Sequence, residues 1–109
     1  MNSLEQMHCA PGGQAKPLTD AELIEQLAML PEWQQVGNTI CRTYTFKNYY
    51  ETMAFVNASA WVSHREDHHP DLSVHYNKCV VAYSTHDAGG ITLNDFICAA
   101  KLDNLYRPQ

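Results

Sequence analysis

Residues 70–85 read PDLSVHYNKCVVAYST, a stretch that predicts an antiparallel β-hairpin. Pro70 ends any preceding helix, because its ring lacks a backbone donor and disfavours helical geometry at the residue before it. Runs rich in valine, tyrosine and threonine then flank the turn-forming pair Asn77 and Lys78, which is typical of two strands joined by a tight turn. The chain is therefore expected to change from helix to strand at Pro70.

The register of this hairpin determines which histidines come close together, and the sequence allows two registers. With residues 77–78 as the loop, His69 lies opposite His86. With residues 76–77 as the loop, His69 lies opposite Ser84 instead. If strand pairing continues out to Pro70, either register brings His68 and His69 near the end of the strand that leads to His86.

Capping signals place helices before, between and after two hairpins. Thr19 and Glu22 have the spacing of a capping box, and Asn48 is a further N-cap. Thr92 and Asp95 repeat the capping spacing near the end of the chain. The predicted elements are helix 20–29, strands 33–36 and 40–46 around a turn at Gly37-Asn38, helix 49–66, strands 72–76 and 79–85, and helix 93–105.

This order, α-β-β-α-β-β-α, predicts an α+β fold: a four-stranded antiparallel sheet with three helices packed on one face. The helical periodicity predicts that Ile24, Trp61 and Leu105 belong to the buried apolar faces. Residues 1–17 contain two prolines and adjacent glycines without apolar periodicity, so they are expected to form a mobile N-terminal tail. Residues 18–109 then form a single domain.

Composition limits the classes of function. The 7 basic and 12 acidic residues give a formal net charge of -5, which repels phosphate backbones, so we expect no nucleic-acid partner. No apolar run approaches the length of a membrane span, and no signal peptide is visible, so we expect no membrane association. The 4 cysteines form no CxxC pair, which favours a reducing compartment, and we expect a cytoplasmic protein.

Histidines are concentrated in one part of the chain. Five of the 6 lie between residues 64 and 86, namely His64, His68, His69, His75 and His86. Neutral imidazole accepts a proton and imidazolium donates one near neutral pH, because the unperturbed pKa is ~6.5. Several imidazoles around one pocket can therefore supply both the acid and the base of an elimination reaction, and we expect neither a metal nor a cofactor.

Other interpretations account for some of these histidines. His75 lies within a predicted strand and is expected to face solvent. His64 could equally well be a solvent-exposed residue at the end of a helix or a residue of the site. His64 and His68 also have the spacing of two metal ligands on one helical turn, with a further histidine as the third. Arg65 stands where the HExxH motif has glutamate, so we favour proton transfer over a metal site.

Residues 64–70, followed by Tyr76, His86 and Asp95, resemble the signature of the pterin-4a-carbinolamine dehydratases. In that signature a charged residue and three arbitrary positions precede His-His-Pro. An aromatic residue, a histidine and an aspartate then follow at the spacings found in this chain. The likeness extends over about residues 18–105.

The resemblance implies the α+β fold predicted above and a pterin substrate. It implies dehydration of 4a-hydroxytetrahydrobiopterin to quinonoid dihydrobiopterin, which recycles the cofactor of aromatic amino-acid hydroxylases, and assembly into a homodimer or homotetramer. The residues implicated by position are, for catalysis, His68, His69 and His86; for substrate binding, Pro70, Thr85, Asp87 and Ala88; and for support, His64 and Asp95.

Two departures from the family pattern concern the edge of the expected site. Some members have glutamate at the position of His64, and others have an aromatic residue shortly after the proline, where this chain has Leu72 and Ser73.

Two further functions stay open. Family members in animals act as dimerisation cofactors for a homeodomain transcription factor, and the same fold could serve another pterin pathway, such as molybdopterin metabolism.

Overall fold

The computed structural model describes residues 3–106, in which three α-helices and four strands follow one another in the predicted order. They are α1 (Asp20–Met29), β1 (Gln34–Val36), β2 (Thr39–Thr45), α2 (Tyr49–Glu66), β3 (Asp71–Val74), β4 (Lys78–Tyr83) and α3 (Leu93–Tyr106). The strands form one antiparallel sheet in the order β1-β2-β4-β3. The predicted α+β fold is confirmed. None of the helices in this range has the length and apolarity of a transmembrane span.

The helices cover one face of the sheet. Ile40 pairs with Tyr83 and Tyr44 pairs with Cys79 across β2 and β4, and all four side chains are fully buried. The ring of Phe55, from α2, packs on Tyr44 with its centroid 4.5 Å away. Because side chains alternate between the faces of a strand, these pairs define the core face of the sheet.

The predicted helix caps are present. The hydroxyl of Thr19 accepts the N–H of Glu22, whose side chain in turn accepts the N–H of Thr19, so the capping box is complete. The side chain of Asn48 accepts the N–H of Glu51 at 2.9 Å. These local bonds fix where α1 and α2 begin.

The predicted core was wrong at several helical positions, three of which carry large apolar side chains. Ile24 is 69% exposed, Trp61 is 63% exposed and Leu105 is 41% exposed. Periodicity identifies an apolar stripe on a helix, but neighbouring elements determine how wide a stripe is covered. In α1, for example, Leu23 is buried whereas its neighbour Ile24 faces solvent.

The second hairpin has one of the two registers that the sequence allowed. Val74 pairs with Cys79, so the loop centres on residues 76–77 and the alternative register is wrong. The paired region starts at Asp71. His69 therefore lies before the ladder, and its position follows from the end of α2 and not from strand pairing.

Helix α2 ends before Pro70. Asp67 adopts a left-handed conformation, with φ 51° and ψ 43°, and its N–H donates to the carbonyl of Ser63. The N–H of His68 donates to the same carbonyl at 3.2 Å. This reversal turns the chain out of the helix, so His64 and His68 do not share a helical turn, and the spacing that favoured a metal site does not apply.

Residues 3–17 include two short 3-10 turns, Leu4–Gln6 and Gly12–Gln14. Leu4 belongs to the buried core cluster, and the N–H of Cys9 donates to the side chain of Glu66 at 2.7 Å. The segment thus contacts the domain at several points. Its mobility stays a prediction, and residues 1 and 2 lie outside the described range.

Candidate active site

A buried aspartate in the first turn of α3 holds one histidine of the predicted cluster. Asp95 is fully buried, and its Oδ1 lies 2.6 Å from Nε2 of His68. His68 lies two positions beyond the last residue of α2, so the pair joins the end of one helix to the beginning of another. The side chain of His68 is 11% exposed, so part of its ring reaches solvent.

Two donors occupy the second carboxylate oxygen of Asp95. The hydroxyl of Thr85 and the N–H of Thr92 each donate to Oδ2 at 2.9 Å. The hydroxyl oxygens of Thr85 and Thr92 lie 2.8 Å apart. Because an ionised carboxylate only accepts, this network assigns a proton to Nε2 of His68 and leaves Nδ1 as the nitrogen that can exchange protons.

The capping geometry of α3 explains why the buried side chain of Asp95 lies at the beginning of this helix. The N–H of Asp95 donates to the carbonyl of Thr92 at 3.1 Å, while the side chain of Asp95 accepts the N–H of Thr92. A carboxylate at a helix N-terminus is favoured by the helix dipole. The capping spacing predicted this bond, but it did not predict that the same carboxylate also holds His68.

An aromatic ring supports His68 from the sheet. The rings of His68 and Tyr83 are stacked, with centroids 5.8 Å apart and an interplanar angle of 10°. Tyr83 is fully buried at the end of β4, and burial raises the pKa of its hydroxyl, which therefore stays neutral. Neither Tyr83 nor Thr92 was predicted as a site residue. The sequence did contain signals for both residues. The alternation of apolar residues along β4 indicates that Tyr83 is buried, and the capping spacing indicates that Thr92 lies at the beginning of α3.

The other two predicted catalytic histidines lie at the edge of this network. His69 and His86 are exposed, and neither side chain forms a hydrogen bond, ion pair or ring contact with any part of the chain that the structure describes. His69 follows His68 in the chain, and His86 follows Thr85. Consecutive Cα atoms are about 3.8 Å apart, so the backbone of each of these two histidines lies close to the hydrogen-bonded group of Asp95, His68, Thr85 and Thr92, which we call the Asp95 network.

The remaining predicted site residues differ in their surroundings. Pro70 and Ala88 are half-buried, and Asp87 is exposed in the short 3-10 turn His86–Ala88. His64 is exposed and lies against the ring of Trp61, with centroids 6.0 Å apart, so it does not join the Asp95 network.

Two cavities of the described residues lie away from the Asp95 network. A groove of about 600 Å³ runs between the end of β2, α2 and the end of α3, and a second of about 470 Å³ lies between the first described residues and α3. His68 lines neither of them. A pocket shared by the three histidines stays a prediction. Within residues 3–106, no three His, Cys, Asp or Glu side chains are grouped so that they could hold a metal ion.

Comparison with known sequences gives a single consistent family. Residues 16–105 match the family model described as Pterin 4 alpha carbinolamine dehydratase. A protein of Chromobacterium violaceum, provisionally named pterin-4-alpha-carbinolamine dehydratase, is 58% identical over 107 residues, which cover 98% of both chains. A protein of Nitrosospira multiformis with the same provisional name is 52% identical over 108 residues, covering 98% of this chain and 96% of its own.

Two solved structures share the fold. The crystal structure of a transcriptional coactivator/pterin dehydratase from Brucella melitensis has a TM-score of 0.82 and 31% identity, over 84% of this chain and all of that chain. A pterin dehydratase-like protein identified as a RuBisCO assembly factor in the alpha-carboxysome has a TM-score of 0.58 and 20% identity, over 71% of this chain and 89% of that chain. At that identity the second likeness concerns the fold alone.

Proposed function

Because the chain belongs to the pterin 4 alpha carbinolamine dehydratase family, we propose that it eliminates water from 4a-hydroxytetrahydrobiopterin. The product is quinonoid dihydrobiopterin, from which tetrahydrobiopterin is regenerated, so the reaction recycles that cofactor. The observation that carries the proposal is the imidazole of His68. It is held 2.6 Å from the buried carboxylate of Asp95, with its second nitrogen unoccupied by any described residue.

The reaction needs one proton donor and one proton acceptor. The bond between C4a and the hydroxyl oxygen breaks, and the departing oxygen takes a proton and leaves as water. The neighbouring amine nitrogen loses a proton, and the electron pair of its N–H bond forms the new C=N bond. One protonated and one neutral imidazole therefore suffice, and exchange with solvent restores both.

We assign proton transfer at the substrate to Nδ1 of His68. Asp95 accepts from Nε2 whether the ring is neutral or doubly protonated, so Nδ1 can donate in one state and accept in the other. The negative charge of Asp95 compensates an imidazolium in a half-buried position, in the way that an aspartate orients a catalytic histidine. Asp95 acts through His68 and is a positioning residue.

His69 and His86 would complete the catalytic set. Both are exposed and without side-chain partners among residues 3–106, so changes of rotamer can bring them to a bound pterin. In the family the first and third histidines, here His68 and His86, are treated as acids for the departing hydroxyl. The second, His69, would bind the pterin or take the nitrogen proton, and neighbouring imidazoles can exchange these roles.

The pterin would lie against the 3-10 turn that follows β4. Pro70, Asp87 and Ala88 are the proposed contacts, because each is at least partly accessible. Thr85 is buried and donates its hydroxyl to Asp95, so we place it beneath the pterin, where it supports the wall of the site. His64, which packs on Trp61, would influence the site only through its charge.

Turnover of enzymatically generated 4a-carbinolamine, followed by ultraviolet absorbance, tests the proposal. His68→Ala and His86→Ala should each lower kcat by ~10²–10⁴-fold, the usual contribution of a general acid or base. His75→Ala is the matched control, because the imidazole of His75 is exposed and, among residues 3–106, bonds only to the hydroxyl of Ser73, at 3.0 Å. Wild-type turnover by His68→Ala, His86→Ala and the double variant would contradict the proposal.

We further propose that the chain forms a homodimer or homotetramer in the cytoplasm. β3 is an edge strand whose residues are all exposed, and α2 presents Tyr50, 81% exposed, three helical turns from Trp61, 63% exposed. Unpaired edges and exposed aromatic patches are typical of association surfaces. Light scattering of the purified protein should give a mass of two or four chains, and a monomeric mass at micromolar concentration would contradict assembly.

Binding to another protein is a second candidate function. The name of the Brucella melitensis structure combines coactivator with pterin dehydratase, and the exposed aromatic side chains of α2 offer a contact surface. The two functions are separable, because His68→Ala should abolish dehydration while leaving α2 intact. A partner that is captured by wild type and by His68→Ala, but not by Trp61→Asp, would support the binding function.

A further inference from the structure

The N-terminal segment brings two thiols together. The Sγ atoms of Cys9 and Cys98 lie 3.6 Å apart, although the residues are separated by 89 positions. Cys98 is fully buried in α3, and Cys9 is half-buried above it. The other two cysteines, Cys41 and Cys79, have no sulfur neighbour among residues 3–106.

Several hydrogen bonds hold Cys9 against the domain. The N–H of Cys9 donates to Oε1 of Glu66 at 2.7 Å, and Nδ1 of His8 lies 3.0 Å from Oε2 of the same carboxylate. Ala10 exchanges two hydrogen bonds with the side chain of Asn94, at 3.0 and 2.8 Å. The thiol of Cys9 also lies 3.6 Å from the carbonyl oxygen of Asn94. The sulfur of Cys9 is therefore positioned by the residues on both sides of it.

We propose that Cys9 and Cys98 form a redox-modification site, at which hydrogen peroxide converts the two thiols into a disulfide that ties the N-terminal segment to α3. This site does not depend on the proposed dehydratase activity. A disulfide S–S bond is about 2.05 Å long, so the sulfurs have to approach by roughly 1.5 Å. Cys9 is partly exposed and lies in a segment outside the helices and strands, and we expect this segment to make the movement.

The chemistry proceeds in two balanced steps. The thiolate of Cys9 attacks one oxygen of the peroxide, the O–O bond breaks, and the departing hydroxide takes a proton and leaves as water, which gives a sulfenic acid at Cys9. The sulfur of Cys98 then attacks the sulfur of Cys9, the S–O bond breaks, and the hydroxyl leaves as a second water with the thiol proton of Cys98. Two thiols are oxidised to one disulfide, and one peroxide is reduced to two waters.

The surroundings of the two thiols explain why Cys9 would react first. Cys9 is partly accessible to a small oxidant, whereas Cys98 is 0% exposed. The hydrogen bond with Cys9 and burial raise the pKa of the Cys98 thiol. Reactivity with peroxide requires a thiolate that the oxidant can reach, so Cys98 does not start the reaction. Its sulfur lies 3.6 Å from that of Cys9, and this proximity is what allows it to resolve the sulfenic acid.

The disulfide would restrain the beginning of α3. Asn94 and Cys98 lie one helical turn apart, and the segment over them contacts the turn that contains Asp95. A bond between residues so distant in sequence closes a long loop and reduces the freedom of the unfolded chain. We therefore expect the oxidised protein to melt at a temperature higher by on the order of 10 °C.

Titration of the intact wild-type protein with hydrogen peroxide tests the site. Thiols counted in denaturant should fall from 4 to two, the mass should drop by about 2 Da, and peptide mapping should join Cys9 to Cys98. Dithiothreitol should restore the thiols and the original melting temperature. Cys41→Ser is the matched control and should form the same disulfide, whereas Cys9→Ser should show neither the mass loss nor the melting shift.

Three outcomes would overturn the proposal. They are oxidation of Cys41 or Cys79 at the rate of Cys9, conversion of Cys9 to a sulfinic acid while Cys98 stays a thiol, and a disulfide that joins two chains. If Cys9→Ser does not fold, pulsed alkylation of the wild-type protein during oxidation gives the same answer. Cys9 and Cys98 must then lose their reactivity together, and loss of one without the other contradicts the site.

Discussion

Asp95 and Asp103 lie near the two ends of the same helix, α3, and their side chains have different kinds of partner. Asp95 is fully buried and binds two threonine groups and the imidazole of His68. The side chain of Asp103 is 20% exposed and binds three donors from the region of β1 and β2. Each carboxylate accepts three hydrogen bonds, so the two differ in whether a partner can still exchange a proton.

The partners of Asp103 are donors that do not exchange a proton near neutral pH. Oδ1 of Asp103 accepts from the indole N–H of Trp33, a guanidinium N–H of Arg42 and the hydroxyl of Tyr44. The guanidinium of Arg42 also lies over the ring of Tyr44, 4.4 Å from its centroid. Burial and the neighbouring carboxylate of Asp103 raise the pKa of the Tyr44 hydroxyl, so it stays a neutral donor. This cluster connects α3 to the sheet.

The partner of Asp95 is different, because an imidazole has two nitrogens. Nε2 of His68 is held by the carboxylate, and Nδ1 stays available on a ring that is partly exposed. A carboxylate whose partners are all fixed donors contributes to stability. A carboxylate whose partner can still gain or lose a proton contributes to chemistry.

The largest expected difference between the two aspartates concerns turnover. Asp95→Asn should lower kcat by on the order of 10²-fold, because an amide cannot compensate the charge of a protonated His68. Asp103→Asn, the matched control on the same helix, should leave kcat nearly unchanged. Asp95→Glu should recover part of the activity and the wild-type shape of the pH profile, which a purely structural role would not require. Equal losses of kcat in the two asparagine variants would contradict the distinction.

The second expected difference concerns folding. Asp103→Ala should lower the free energy of unfolding by about 2–4 kcal/mol, because it leaves the charge of Arg42 and two further donors without their acceptor. Urea denaturation of this variant and of Asp71→Ala, a substitution at an exposed aspartate of β3, provides the measurement. The folded fraction of Asp103→Ala should retain wild-type kcat. A stability loss no greater than that of Asp71→Ala would show that the cluster does not hold α3 to the sheet.

A smaller effect is expected at a third carboxylate, Glu66, whose side chain is 4% exposed. Burial by itself raises the pKa of Glu66, but the N–H of Cys9 and the positive charges of His8 and Lys101 outweigh it and hold the pKa below its ordinary value. A lowered pKa in the folded state stabilises the protein above the unfolded pKa of about 4.3, and this stabilisation disappears as the pH falls through the folded value.

Glu66→Gln should therefore destabilise the protein at pH 7 by on the order of 1 kcal/mol, and the difference from wild type should shrink progressively as the pH falls below the unfolded pKa of about 4.3. Thermal unfolding between pH 3 and 7 measures both quantities. Glu25→Gln, at an exposed position of α1, is the control and should show no such pH dependence. A constant difference between wild type and Glu66→Gln at every pH would mean that packing, and not charge, explains the effect.

The fold could be predicted from the sequence because most of its signals are local. Thr19 and Asn48 cap their helices through bonds to residues three positions away, and Pro70 affects only its immediate neighbours. The register of the second hairpin stayed open, because residues 76–78 fit two loops of equal length. The structure pairs Val74 with Cys79, whereas the alternative register would pair it with Val81; both partners are buried on the same face of β4, so the apolar pattern could not choose between the registers.

The candidate site was predicted in part. His68 and Asp95 were both named, and the structure brings them into contact, while Thr85 joins them through its hydroxyl. The roles of Tyr83 and Thr92 were missed, because nothing near either residue in the sequence indicates an imidazole beside it. Convergence of all three catalytic histidines on one pterin stays a prediction that the turnover experiment tests.

The sequence alone determined the order of the elements, the ends of the helices and the residue types capable of proton transfer, because each depends on groups within a few positions of one another. The tertiary structure decided which nitrogen of His68 is free, which aspartate of α3 meets an imidazole, and that Cys9 lies beside Cys98. These contacts join residues that are 27 to 89 positions apart. They form only when burial of the shared core brings the helices, the sheet and the N-terminal segment together.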